Sequence, residues 1–210
     1  MTRGRFITFE GGEGTGKSTQ ARLLASYLAQ SGFDVVQTRE PGGSPSAEDI
    51  RALLVTGAAD RWSPIAETLL FYAARVEHWR QVIEPAIARG AHVVCDRFAD
   101  STMAYQAYAG GLDRRLVEDL HRLTMTGVEP DLTLVLDIDV EKGLLRAAAR
   151  RDDETRFERK GRSFHDKLRQ GFLDIAGRAP ARCVVIDADQ PIERVHAAVL
   201  AAVKSHLSVG

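Results

Sequence analysis

The sequence predicts an α/β fold in which a five-stranded parallel sheet is flanked by helices. Short apolar runs of strand length alternate with longer runs whose apolar residues recur at helical spacing. This alternation is typical of a parallel sheet, because parallel strands are joined by crossovers that are usually helices. The predicted strands are Arg5–Glu10, Val35–Arg39, Ala91–Asp96, Leu132–Asp137 and Cys183–Asp187. The predicted helices are Ser18–Ser31, Ile65–Arg89, Leu112–Thr126, Val140–Arg150, Phe164–Gly177 and Ile192–His206.

Polar side chains stand where the predicted strands end. The first strand ends at Glu10, and the second runs into Arg39-Glu40-Pro41. The third ends in Asp96-Arg97 and the fourth in Asp137. Ligands of open parallel sheets bind beyond the carboxyl ends of the strands. The sequence therefore predicts a binding site along this rim.

A glycine-rich loop follows the first strand. Residues 11–18 read Gly-Gly-Glu-Gly-Thr-Gly-Lys-Ser, a full match to G-x-x-x-x-G-K-[ST] between the run Phe6–Phe9 and a helical pattern. A phosphate-binding P-loop requires this strand–loop–helix setting. Its backbone N–H groups form an anion nest at the positive end of the helix dipole. Lys17 reaches the β/γ-phosphates and Ser18 binds Mg²⁺ in such a loop, so we predict nucleoside triphosphate binding.

An acidic residue and an arginine close the third strand. Asp96 fits a Walker-B-like group that orients Mg²⁺ or its waters, and Asp137 is the competing candidate. Arg97 favours Asp96, because a guanidinium next to it binds phosphate through two bonds. A structural ion pair is the alternative interpretation of Arg97.

Two further clusters have the chemistry of a nucleoside pocket. If residues 101–106 are helical, they form two i,i+4 pairs that offer hydroxyls, an aromatic ring and an amide. These residues are Ser101 with Tyr105 and Thr102 with Gln106. Phe71 and Arg75 have the same spacing, which places an aromatic ring beside a guanidinium. Such a ring can stack on a base, and the guanidinium can donate to a carbonyl oxygen of that base. Taken alone, either cluster is more typical of a core or a surface.

The composition is that of an ordinary water-soluble domain. The chain has 210 residues, 44% hydrophobic and 27% charged, and we predict a single domain over 1–210. With 28 Lys and Arg against 29 Asp and Glu, the net charge of -1 provides no field that attracts nucleic acid. There is no room for a signal peptide and no run long enough to span a membrane, so we expect a cytoplasmic protein without nucleic-acid or membrane partners. Cys95 and Cys183 lie in apolar runs and are predicted to be buried thiols.

One segment breaks the alternation of strands and helices. Residues 150–162 are almost wholly charged and lie between two amphipathic patterns. A solvated connection is the common interpretation of such a run. Beside a P-loop it also fits a short arginine-rich lid, which would exclude water and bring a cation to the transferring phosphoryl group.

Together these motifs resemble the thymidylate kinase family. The resemblance is carried by Phe9–Thr19, Thr38–Gly43, Leu70–Glu77, Asp96-Arg-Phe98 with Ser101 and Tyr105-Gln106, and Pro130–Leu134. It implies a P-loop nucleoside monophosphate kinase fold and the transfer of a phosphoryl group from Mg-ATP to dTMP, a step in dTTP synthesis for DNA. It also implies a homodimer. A kinase of another nucleoside monophosphate or deoxynucleoside, and a P-loop switch or regulatory ATPase, are the alternatives.

The resemblance also implies roles for matching positions. The implied ATP-binding residues are Gly11, Gly12, Glu13, Gly14, Thr15, Gly16, Lys17, Ser18, Thr19 and Arg146, the last against adenine. The implied dTMP-binding residues are Glu13, Glu40, Pro41, Phe71, Arg75, Arg97, Ser101, Thr102, Tyr105, Gln106 and Glu158. Phe71 stacks on thymine, Arg75 bonds its O4, and Tyr105 selects deoxyribose. Ser18 and Asp96 are the implied Mg²⁺ ligands.

The position after the acidic P-loop residue subdivides the family. Some members carry an arginine there, whereas this chain has Gly14. It therefore resembles the bacterial type, in which the catalytic arginine comes from the lid. The implied catalytic residues are Lys17, Asp96, Arg97, Arg150 and Arg156, with Arg151 and Arg159 as further lid candidates.

Overall fold

A computed structural model describes residues 3–58, 60–149, 156–157 and 160–207. In this part of the chain, five strands form one sheet in the order β2-β3-β1-β4-β5, and each neighbouring pair is parallel. The strands are β1 (Phe6–Glu10), β2 (Val35–Arg39), β3 (His92–Asp96), β4 (Leu132–Asp137) and β5 (Cys183–Asp187). The predicted five-stranded parallel sheet is thereby confirmed.

The helices connect successive strands along the chain, and the last helix follows β5. They are α1 (Lys17–Gln30), α2 (Pro45–Val55), α3 (Pro64–His78), α4 (Glu84–Ala88), α5 (Ala99–Thr102), α6 (Arg114–Met125), α7 (Val140–Ala148), α8 (Arg162–Arg178) and α9 (Ile192–Leu207). Two π-helical segments, Trp79–Ile83 and Met103–Ala109, continue α3 into α4 and extend α5. The single helix predicted over Ile65–Arg89 is therefore three consecutive pieces. Helix α2 was not predicted, because it buries only Ala47 and Leu54 and so has little apolar periodicity.

Apolar side chains cover both faces of the sheet. All five residues of β1 are buried, and alternate side chains of that strand enter different clusters. Ile7 packs with α1 and α9 in one cluster, and Phe6 packs with α3, α4 and α6 in the other. Cys95 and Cys183 are buried free thiols, as predicted.

The sheet positions the glycine-rich loop at a topological switch point. Strands β1 and β3 are neighbours, but the chain passes from β1 to β2 on one side of this pair and from β3 to β4 on the other side. The crevice that such a reversal opens lies beyond the carboxyl end of β1, where the loop begins. None of the described helices is both long enough and apolar enough to cross a membrane.

Candidate active site

The glycine-rich loop ends where α1 begins. Gly16 precedes the helix with φ of 91°, a left-handed conformation that glycine adopts without strain. Among the residues that the structure describes, no side chain caps the first turn of α1. The N–H groups of that turn, together with the helix dipole, therefore favour an anion at this place. Ser18 and Thr19 belong to the same turn.

Lys17 is buried and reaches back across the loop. Its Nζ donates to the Gly12 carbonyl at 2.5 Å and to Thr15 Oγ1 at 3.3 Å. Burial and the neighbouring Arg97 guanidinium lower the pKa of Lys17 to about 8, although Glu13 acts in the opposite direction. The loop thus holds a cation whose charge is sensitive to pH.

We expect kcat/KM for ATP to fall as the pH rises through about 8, because only protonated Lys17 attracts phosphate. Bound phosphates place negative charge beside Lys17 and raise its pKa, so kcat should fall at a higher pH than kcat/KM. The pKa of Tyr105 is raised well above its ordinary value, so its titration lies beyond this window. Steady-state kinetics across this range test the expectation. A kcat/KM that stays flat from about pH 7 to 10 would contradict it.

Arg97 follows β3 and turns toward the loop. Its φ of 73° is in the left-handed region, which is uncommon for a residue with a side chain. Nη1 donates to the Gly11 carbonyl at 3.0 Å and to Ser101 Oγ at 3.1 Å. Nη2 donates to Glu13 Oε1 at 3.2 Å and to the Tyr105 hydroxyl at 2.9 Å. Burial opposes its charge, but Tyr105 and Glu13 raise the pKa of Arg97 above its ordinary value.

Two carboxylates support this guanidinium. The Tyr105 hydroxyl donates to Glu13. Burial alone would raise the pKa of Glu13, but Arg97, Lys17 and this hydrogen bond lower it to about 2. Glu10 lies behind Ser101, and its Oε2 accepts a hydrogen bond from Ser101 Oγ at 2.5 Å. Burial and the nearby Asp100 raise the pKa of Glu10 to about 7. Arg97 is therefore held in place by groups from β1, the loop and the segment after β3.

Ser18 and Asp96 bring two hard oxygen ligands together. Ser18 Oγ donates to Asp96 Oδ2 at 2.5 Å. Mg²⁺ prefers oxygen ligands and is usually bound by one or two protein groups, with waters and substrate phosphates completing its shell. Within the described residues, no group of three or more His, Cys, Asp or Glu forms a larger metal site. The competing candidate Asp137 is bound by Arg169 through two bonds of 2.7 and 2.8 Å.

A cavity of about 220 Å³ opens between the loop, β3 and helices α2, α3 and α5. Most of the site residues expected from the sequence line it. They are Glu13, Gly14, Gly16, Lys17, Ser18, Glu40, Pro41, Phe71, Arg75, Asp96, Arg97, Ser101, Thr102, Tyr105 and Gln106. The structure thus brings the phosphate-binding loop and the two predicted nucleoside clusters into one pocket.

Five lining residues were not among the site residues expected from the sequence. Arg39, Arg51, Val55, Phe98 and Phe157 also line the cavity. Arg51 and Val55 lie on α2, the helix without a clear periodic signal, and Arg51 Nη1 donates to the Pro41 carbonyl at 2.6 Å. Arg39 and Phe98 lie within motifs that carry the family resemblance, and this resemblance could have identified them as site residues. Phe157 lies in the charged segment, where nothing in the pattern singles it out.

Arg75 and Gln106 each leave one polar atom for a ligand. Arg75 Nε donates to Glu40 at 2.7 Å, and Nη2 donates to the Phe98 carbonyl and Thr102 Oγ1 at 3.1 and 2.9 Å. Gln106 Nε2 donates to Glu67 at 2.9 Å. Arg75 Nη1 and Gln106 Oε1 are buried and have no hydrogen-bond partner among the described residues. The pocket therefore offers one unused donor and one unused acceptor.

Gly14 leaves no space for a side chain inside the loop. A Cβ atom at this position would lie 1.9 Å from the Gly143 carbonyl oxygen of α7, and φ is 67°. Gly143 is equally confined, since its own Cβ would lie 2.6 Å from the Glu13 carbonyl oxygen. The loop and α7 therefore touch backbone to backbone, and residues 150–162 follow shortly after α7 in the sequence.

The remaining site residues lie outside this pocket or outside the described residues. Arg146 Nη1 donates to the Ala188 carbonyl at 3.0 Å, and its Nη2 lies 3.6 Å from Asp189. Arg156 is buried and paired with Glu67, and it does not line this pocket. Arg150, Arg151, Glu158 and Arg159 lie outside the described residues.

Comparison with known proteins shows the family of the chain. The family model for thymidylate kinase matches residues 9–199. A thymidylate kinase of Caulobacter vibrioides is 58% identical over 199 residues, 95% of each chain. One of Dinoroseobacter shibae is 55% identical over 98% of this chain and 97% of the relative. A crystal structure of thymidylate kinase from Ehrlichia chaffeensis matches with a TM-score of 0.79 and 38% identity, over 96% of this chain and 99% of the other. The expected P-loop nucleoside monophosphate kinase fold is thereby confirmed, and the chain belongs to the thymidylate kinase family of enzymes.

Proposed function

We propose that the chain transfers the γ-phosphoryl group of ATP to dTMP, producing ADP and dTDP. The observation that carries the acceptor assignment is that one cavity is lined by Arg75 with an unused donor and by Gln106 with an unused acceptor. Thymine presents a carbonyl oxygen next to a ring N–H, which matches this pair. Cytosine presents an amino donor next to a ring nitrogen that accepts, so it would place a donor against Arg75 and an acceptor against Gln106. Phe71 lines the same pocket and supplies a ring for stacking.

The chain's residues act mainly by positioning and by electrostatics. Lys17 and the first turn of α1 bind the phosphates of ATP, and Arg97 binds the acceptor phosphate. Tyr105 lies beside Arg97, which supports a role in excluding a ribose 2′-hydroxyl, and Glu13 supports a contact with the sugar 3′-hydroxyl. Ser18 and Asp96 would hold Mg²⁺, which neutralises charge on the transferring phosphates.

The proposed lid supplies the arginine that the loop lacks. Gly14 leaves no space for a side chain, so a catalytic arginine that acts together with Lys17 comes from another segment. Arg156 is bound to Glu67, which supports Arg150 as that cation. Glu158 stays a proposed contact of the acceptor sugar, and Arg146 a proposed contact of adenine.

We expect dTMP-dependent release of ADP from Mg-ATP, with little hydrolysis when no acceptor is present. The acceptor panel is dTMP, dUMP, the ribonucleotide TMP, 5-methyl-dCMP and thymidine. The matched pair is dTMP and 5-methyl-dCMP, which differ only at the base edge that faces Arg75 and Gln106. Preference for 5-methyl-dCMP or for thymidine would contradict the assignment. Acceptor-free hydrolysis at the rate of kinase turnover would favour a switch ATPase.

We further propose a cytoplasmic homodimer of single-domain chains. Exposed apolar side chains on α3 and α6 support an interface there. These are Ile65, Leu69, Leu116 and Leu123, with exposed fractions of 39%, 49%, 39% and 67%. Light scattering of the purified protein distinguishes a dimer from a monomer.

A further inference from the structure

Glu67 is a buried carboxylate that lies outside the lining of the pocket but is bonded to it. It lies in the first turn of α3 and is only 7% exposed. Its Oε1 accepts from Gln106 Nε2 at 2.9 Å, and its Oε2 is paired with Arg156 Nη1. No sequence pattern singles out this residue, since acidic residues in the first turn of a helix are common.

The bond to Glu67 decides which end of the Gln106 amide faces a ligand. A carboxylate paired with an arginine only accepts hydrogen bonds, so it binds the NH₂ end of the amide. The carbonyl end is then left for the pocket, which Gln106 lines. Its Oε1 is buried and unpartnered within the described residues, and such an atom favours a ligand that donates.

Arg156 keeps Glu67 in this role. Its Nη1 and Nε donate to the carbonyls of Leu54 and Ala58 at 3.1 and 3.0 Å, and the side chain is almost fully buried. The next residue, Phe157, lines the pocket, with its ring centroid 6.2 Å from Phe71. The ion pair therefore compensates the buried charge of Glu67 and also holds the residue next to Phe157 in place.

We propose that Glu67 is a positioning residue that sets base specificity. By orienting the Gln106 amide, it makes the pocket accept a base with a ring N–H, such as thymine or uracil, and disfavour cytosine. This inference rests on the proposed function, because it presumes that Gln106 faces the acceptor base.

The test compares dTMP with 5-methyl-dCMP in the full-length chain carrying Glu67→Gln. A glutamine at this place donates as well as accepts, so the Gln106 amide is free to turn over. We expect the ratio of kcat/KM for the two acceptors to fall about tenfold, roughly the loss of one oriented hydrogen bond. The change should appear in KM for the acceptor, while KM for ATP stays near its original value.

Two further variants separate orientation from general loosening. Glu67→Asp keeps an acceptor-only carboxylate, so the discrimination should survive even if KM rises. In a Gln106→Met background, Glu67→Gln should change the ratio no further, because the amide through which it acts is gone. The inference would be overturned if Glu67→Gln and Glu67→Asp lost discrimination between the two acceptors equally. It would also be overturned if Glu67→Gln lowered the ratio as much in the Gln106→Met background as in the original chain. If the unmodified chain itself fails to prefer dTMP, the proposed function fails instead.

Discussion

Replacing Arg97 by alanine is expected to lower kcat/KM for dTMP by roughly 10²- to 10⁴-fold, the largest loss from any residue in the acceptor pocket. A charge-assisted hydrogen bond contributes about 1.5–3 kcal/mol, and a guanidinium binds phosphate through two of them. Steady-state kinetics with dTMP varied at saturating Mg-ATP measure this loss.

The contacts of Arg97 are specific to its position, so we expect no neighbouring side chain to take over phosphate binding. Its backbone is in a left-handed conformation, and its guanidinium is held by Gly11, Ser101, Glu13 and Tyr105. Arg97→Lys keeps the charge but loses the two-bond geometry, so it should fall between the alanine variant and the original chain. An unchanged kcat/KM for Arg97→Ala would show that the residue is structural.

The sheet and the phosphate-binding loop were predictable because their signals are local. Strands such as Leu132–Asp137 are short apolar runs between breakers, and their bounds agree with the structure. The loop is defined by eight consecutive residues whose chemistry hardly depends on distant contacts. The gathering of polar residues at one rim follows from parallel strand direction alone. These local signals account for the loop and the rim, whereas only the family resemblance could name the lining residues Phe71, Arg75, Ser101, Thr102, Tyr105 and Gln106.

The parts that escaped prediction depend on contacts between distant segments. Helix α2 is half exposed and begins at Pro45, so neither periodicity nor composition marks it clearly. The π-helical turn over Met103–Ala109 has no sequence signature that separates it from an α-helix. The pairing of Glu67 with Arg156 joins residues that are far apart in the chain, and each alone resembles an ordinary surface charge.

Replacing Arg150 by alanine is expected to lower kcat by about 10³-fold or more, with a smaller change in KM for dTMP. An arginine that neutralises charge on the transferring phosphoryl group acts mainly in the transition state, so its loss appears in kcat. The loop cannot supply this arginine from position 14, since a side chain at Gly14 would collide with the Gly143 carbonyl. Single-turnover and steady-state measurements of ADP formation give the size of the effect.

Arg156→Ala is the matched comparison, because both arginines belong to the same charged segment. Breaking a buried ion pair by removing one partner lowers the free energy of unfolding by about 3–5 kcal/mol. Here it leaves the buried carboxylate of Glu67 without its arginine partner. We therefore expect Arg156→Ala to lower the unfolding temperature and to raise KM for dTMP, with a smaller loss in kcat. If Arg156→Ala instead loses 10³-fold in kcat while Arg150→Ala keeps nearly full turnover, Arg156 is the catalytic arginine. Its bond to Glu67 would then have to open before each transfer, and the lid would be held back by the same carboxylate that orients Gln106.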